Sequence, residues 1–102
     1  MNMTASSELD DILHRLRLAL PELRQRYPLG SVAVFGSRAR GSPERDSDLD
    51  LLIDWNGPVS LLDYSGLRCE LEERLGMRVD LANRRLLKPA VASEILHEAV
   101  AV

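Results

Sequence analysis

Val32-Ala33-Val34-Phe35-Gly36-Ser37-Arg38-Ala39-Arg40-Gly41 is followed, after a short polar stretch, by Asp48-Leu49-Asp50-Leu51-Leu52-Ile53. The first four residues are a continuous apolar run that stops at a glycine, the pattern of a buried strand. The run from Leu49 to Ile53 is apolar apart from Asp50 and ends at Trp55-Asn56-Gly57-Pro58, which predicts a second strand. Between them, residues 36–47 carry Gly36, Gly41, Pro43 and three serines among charged neighbours. Such a segment is too polar for a core and reads as a loop.

Working outward, helices flank these strands. Ser7 with Asp10 three residues on resembles a capping box, and Leu9, Ile12, Leu13, Leu16, Leu20 and Leu23 follow at helical spacing. Pro21 is expected to kink or restart this helix because it lacks a backbone donor. Tyr27-Pro28-Leu29-Gly30 closes the segment. Ser60 suits the N-cap of a second helix, with Leu61, Leu62, Leu67, Leu71 and Leu75 as its apolar positions and Gly76 as its stop. Met77 to Ala82 reads as a third strand. Pro89 fits the first turn of a last helix running through Val91, Ile95, Leu96 and Val100. The order helix–strand–strand–helix–strand–helix predicts an α+β fold, a small mixed β-sheet flanked by helices.

The chain has 102 residues, a hydrophobic fraction of 45% and a net charge of -3. Its mass is 11.4 kDa, its mean hydropathy -0.14 and its pI near 5.3. These values predict a single globular domain over residues 1–102 without room for a second domain to carry a large substrate. An acidic balance argues against direct nucleic-acid binding, which favours a basic face. A lone cysteine, Cys69, allows no internal disulfide. No apolar run reaches the length of a membrane span. Met1 to Ser7 lack the pattern of a signal peptide, and the expected location is the cytoplasm.

The chemistry lies in residues 36–50. Alternate side chains of a strand face the same way, so Asp48 and Asp50 share a face about 6.6 Å apart along the chain. At about 6 Å and an effective dielectric near 20 their repulsion costs roughly 3 kcal/mol. A divalent cation reverses that sign, because hard cations such as Mg²⁺ favour carboxylate oxygens together with substrate phosphates. Gly36 permits close approach of a ligand to the backbone, Ser37 offers a hydroxyl, and Arg38-Ala39-Arg40 suits one helical turn with free N–H groups. Arg38, Arg40 and Arg45 place positive charge around the loop. Asp80 lies between Val79 and Leu81, where an unpaired charge is expensive. If its strand pairs beside the second, Asp80 meets Asp48 and Asp50. Three carboxylates would suit a two-metal site for phosphoryl or nucleotidyl transfer.

Gly36-Ser37, ten intervening residues, Asp48-Leu49-Asp50 and the late Val79-Asp80-Leu81 resemble the polymerase-β-like minimal nucleotidyltransferases. The likeness extends from Phe35-Gly36-Ser37-Arg38-Ala39-Arg40-Gly41 to Ile95-Leu96-His97-Glu98-Ala99-Val100. It implies the polymerase-β-like fold, with Asp48, Asp50 and Asp80 as the catalytic metal ligands for Mg²⁺, two ions in all. It also implies that Gly36, Ser37 and Arg40 bind nucleotide, and that Asp80 helps to activate the acceptor hydroxyl. Many stand-alone chains of the family are antitoxins that transfer AMP from ATP to a tyrosine of a HEPN-domain ribonuclease toxin. A HEPN-type toxin in a hetero-oligomer is therefore the implied partner, with ATP as substrate.

The residues also admit plainer readings. Asp48 and Asp50 would serve as solvated carboxylates at a loop exit, Gly36-Ser37 as a strand-ending turn, and Asp80 as a turn cap. The arginines suit a solvated loop face. His14 and His97 lack partners at metal-ligand spacing, Cys69 and Tyr64 read as packing residues, and Glu70, Glu72 and Glu73 against Arg68 and Arg74 read as a solvated helix face. The rival to transfer is a non-catalytic antitoxin that masks its toxin, which needs no carboxylate set. Transfer to a small molecule belongs to longer relatives.

Overall fold

The computed structural model describes residues 7–41 and 48–102. Helix α1 spans Ser7–Arg26, strand β1 Leu29–Phe35, strand β2 Leu49–Trp55, helix α2 Leu61–Leu75, strand β3 Val79–Asn83, helix α3 Pro89–Glu98 and strand β4 Val100–Ala101. A 3-10 turn over Arg84–Leu86 links β3 to α3. The strands form one mixed sheet in the order β3-β2-β1-β4. β1 is antiparallel to β2 and to β4, while β2 and β3 are parallel and joined through α2. A parallel pair needs such a crossover, because no tight turn can return the chain to the same end of the sheet.

Ile12, Leu13, Leu16, Ala19, Leu20 and Leu23 of α1 are buried against Leu67, Leu71 and Leu75 of α2 and the inner residues of the strands. Leu49, Leu51 and Ile53 of β2 are wholly buried in this core, and Trp55 nearly so. Full burial of such side chains stabilises by about 1.5–3 kcal/mol each, which outweighs the local penalty at Pro21. The helix accordingly runs through Pro21 without a break. Arg17, whose carbonyl loses its partner to the proline, is exposed and can turn to water. Along the rim, Tyr27 Oη donates to Glu70 at 2.8 Å and Arg74 pairs with Glu22 at 2.6 Å.

Several elements depart from the expected boundaries. β1 begins at Leu29, three residues early, because Leu29 pairs with Trp55 across an irregularity in register. α3 stops at Glu98, and Val100 leaves it to form β4 against Val34. Cys69 is exposed rather than packed. Leu61 and Leu62 are each 85% exposed, so the apolar face of α2 starts only at Leu67. Glu70 and Glu72 are not mere solvated charges: Glu72 Oε2 accepts the Val79 N–H at 3.0 Å and so fastens the start of β3. The Ser60 N-cap is present as a full capping box with Asp63, and Gly76 ends α2 in the left-handed region at φ 69°. The Ser7 capping side chain and Arg45 lie outside the described residues. Among the described residues no helix is long and apolar enough to cross a membrane.

Gly30 sits close against β2, and a Cβ there would overlap the backbone carbonyl oxygen of Asp54. Gly30→Ala is therefore expected to destabilise the chain by about 1–3 kcal/mol, seen as a lower urea midpoint at an unchanged slope.

Candidate active site

The inner face of β2 is given over to the core, so Asp50, Leu52 and Asp54 lie on the opposite face. Strand register sets Phe35 of β1, Asp50 of β2 and Asp80 of β3 side by side in one row across that face. Adjacent strands are about 4.8 Å apart, so the sheet itself holds the carboxyl groups of Asp50 and Asp80 as neighbours. Asp48, two residues before Asp50, shares their side. Burial raises the Asp50 carboxyl above its ordinary range, and the negative charges of Asp80 and Asp48 push it further the same way. Arg40 and Arg38 pull it down without reversing the shift.

Gly36 closes β1 at φ 78°. Its lack of a side chain lets the Asp50 carboxylate lie directly against the backbone, where a Cβ would overlap Asp50 Oδ2. Ser37 follows, half-buried. The loop after it is a hydrogen-bonded turn, and the N–H groups of Ala39 and Arg40 both donate to the Gly36 carbonyl at 3.1 and 3.2 Å. Of the donors expected to be free there, the Ala39 and Arg40 N–H groups are thus engaged within the turn. Gly36 N–H instead donates to Glu98 Oε1 at 3.2 Å, and Arg40 Nη1 donates to both oxygens of the same carboxylate at 3.1 and 2.9 Å. Arg38 turns away from this group to pair with Glu8 at 2.6 Å.

Glu98 is absent from the sequence-predicted site. A signal for it does exist: it is the last residue of α3, where a carboxylate faces the negative end of the helix dipole. Such a position calls for a compensating donor. The Arg40 side chain and the Gly36 N–H supply it and hold the Glu98 carboxyl below its usual range.

Asp48 and Asp50 differ in their partners. Asp48 is paired with Arg78 Nε at 3.2 Å, both groups being largely solvent-exposed. Exposed pairs of this kind are worth about 0–1 kcal/mol and open readily. The carboxylate oxygens of Asp48, Asp50 and Asp80 are the ligand type a hard divalent cation prefers. Among the described residues no three acidic or imidazole groups are gathered closely enough to close on one ion as they lie.

Beyond the aspartates, an open apolar cavity of about 450 Å³ lies between the start of α2 and the end of β3, walled by Val59, Leu61, Tyr64, Leu81 and Leu86. Tyr64 is half-buried there and donates its hydroxyl to the Leu81 carbonyl. Its ring lies 6.4 Å from that of Trp55. Desolvation and then the charge of Asp80 raise the Tyr64 phenol above its usual range.

Residues 16–102 match the family described as nucleotidyltransferase domain. The chain is 39% identical to the protein adenylyltransferase MntA of Thermococcus cleftensis over the full length of both. A solved structure assigned as a minimal nucleotidyltransferase superposes with a TM-score of 0.74 at 36% identity, covering 99% of this chain and 98% of that one. A toxin–antitoxin structure with AMP-PNP shares the fold at a TM-score of 0.66 and 22% identity, over 90% of this chain and 69% of that one. The chain therefore belongs to the nucleotidyltransferase-domain family, and its three helices on a four-stranded mixed sheet have the fold of the minimal nucleotidyltransferases.

Because the Asp50 carboxylate is desolvated by burial and held beside like charges, Asp50→Asn should raise the melting temperature in metal-free buffer by a few degrees, about 0.5–1 kcal/mol for a chain of this size. An unchanged or lower melting point would show that the row is not electrostatically strained.

Proposed function

We propose that this chain is a Mg²⁺-dependent protein adenylyltransferase that moves AMP from ATP to a tyrosine hydroxyl of a HEPN-type ribonuclease toxin, and thereby acts as an antitoxin. The observation that carries this reading is the register of Asp50 against Asp80, beside a glycine that brings the backbone up to the Asp50 carboxylate. The MntA relative, named as a protein adenylyltransferase, and the fold neighbour that pairs a toxin and an antitoxin with AMP-PNP support the substrate and the partner.

Asp48, Asp50 and Asp80 would hold two Mg²⁺ ions, whose charge would offset that building on the phosphates during transfer. Gly36, Ser37 and Arg40 would hold the triphosphate: a backbone N–H, a hydroxyl and a guanidinium are the donors that recognise phosphate oxygens. In the transfer the acceptor oxygen bonds to the α-phosphorus, the bond from that phosphorus to the bridging oxygen breaks, and pyrophosphate leaves. Asp80 is exposed on the outermost parallel strand, which supports a role for its carboxylate in taking the hydroxyl proton. That exposure admits an acceptor carried by a separate chain. Domain 1–102 would supply only the transfer machinery.

The test is transfer of label from α-labelled ATP to a HEPN-type toxin supplied with this chain. Wild type should label the toxin, chelation of divalent cations should abolish the signal, and Asp48→Ala and Asp50→Ala should each lower it at least about a hundredfold, the scale of losing a positioned electrostatic group. Undiminished labelling in both variants would overturn the assignment. Variants that lose labelling yet still protect cells would show that masking suffices for neutralisation.

A further inference from the structure

Two of the donors proposed for the triphosphate, Gly36 and Arg40, are already engaged. The Gly36 N–H has one hydrogen to give, and it goes to Glu98 Oε1. Arg40 Nη1 reaches both oxygens of that carboxylate. A backbone N–H and a guanidinium converging on one anionic group form a phosphate-type site, here filled by a side chain 62 residues away in sequence.

We propose that Glu98 is a built-in occupant of the anion site at Gly36 and Arg40, displaced by the nucleotide's phosphates when they bind. This rests on the nucleotide reading of the site. A carboxylate and a phosphate cannot accept the same Gly36 hydrogen, and two anions side by side on one guanidinium repel. The triphosphate carries more negative charge than the carboxylate and gains more from the shared donors.

The surroundings allow the exchange. The Glu98 side chain is 31% exposed and that of Arg40 54% exposed, so the carboxylate can swing into water. α3 contains no buried residue to hold it rigidly. The backbone beyond is fixed, however: Val100 and Ala101 pair with Val34 and Ala33, and the Val102 N–H donates to the Val32 carbonyl at 3.0 Å. Glu98 is thus tethered to the strand that ends in Gly36, and it can return whenever the phosphates leave. A binding site occupied part of the time by its own side chain shows an apparent affinity reduced by that fraction. The contact sets the concentration of nucleotide at which the site fills.

The test is calorimetric titration of the full chain, at fixed low ionic strength, with Mg²⁺ plus a non-hydrolysable ATP analogue and separately with inorganic tripolyphosphate. Glu98→Gln keeps the shape of the side chain and removes its charge, and Glu98→Ala removes both. Each should bind both ligands about five- to tenfold more tightly than wild type, and the gain should shrink as salt is raised. Folding is checked by melting curves, and Glu98→Gln stands alone if the alanine variant does not fold. Equal or weaker binding by the variants, with wild type still binding, overturns the displacement and leaves Glu98 as a support for Arg40. No binding by any form overturns the nucleotide reading itself, and the displacement with it.

Discussion

The governing constraint is electrostatic. A parallel strand pair sets Asp50 directly beside Asp80, with Asp48 on the same side, and the hydrophobic core fixes that register. Sliding β3 by one residue would relieve the repulsion but would also turn Val79 and Leu81 out of the core. The fold therefore holds like charges together, and burial first, then those charges, raise the Asp50 carboxyl.

The second constraint is space. β1 ends at Gly36 in a left-handed conformation with the Asp50 carboxylate against its backbone. A Cβ at this position would displace the Asp50 carboxylate from the backbone. The same residue presents its N–H to Glu98, so one glycine joins the acidic row to the basic turn. Arg40 bridges the two electrostatically: its charge acts to lower both Asp50 and Glu98, and it contacts Glu98 directly. Positive and negative halves of the site are thus built on either side of a single residue without a side chain.

Much of this was legible before any coordinates. The apolar runs at 32–35 and 49–53, the Ser60 cap and the Gly76 stop carry strong local signals, since strand burial and cap geometry depend on neighbouring residues alone. The elements misread were those settled at a distance. Pro21 lies within α1 because six buried residues of that helix outweigh one lost hydrogen bond. Val100 leaves α3 because β1 offers an open edge to pair with. Glu70 and Glu72 resembled surface charges because their partners, Tyr27 and the Val79 N–H, belong to other elements.

Residue spacing alone was enough to name Gly36, Ser37, Asp48 and Asp50 as one constellation, since two short strands joined by a loop leave little freedom in where those residues fall. It also singled out Asp80, as a charge in an apolar strand, but not its distance from the others. That distance is a matter of which strand lies beside which, and a parallel neighbour is chosen by packing of the crossover helix α2 on α1 and the sheet. The Glu98 contact was further still from view. It depends on where the last helix ends and on a two-residue strand that returns the chain to β1, and hydrogen bonds between groups 62 residues apart leave no periodic trace in the order of amino acids.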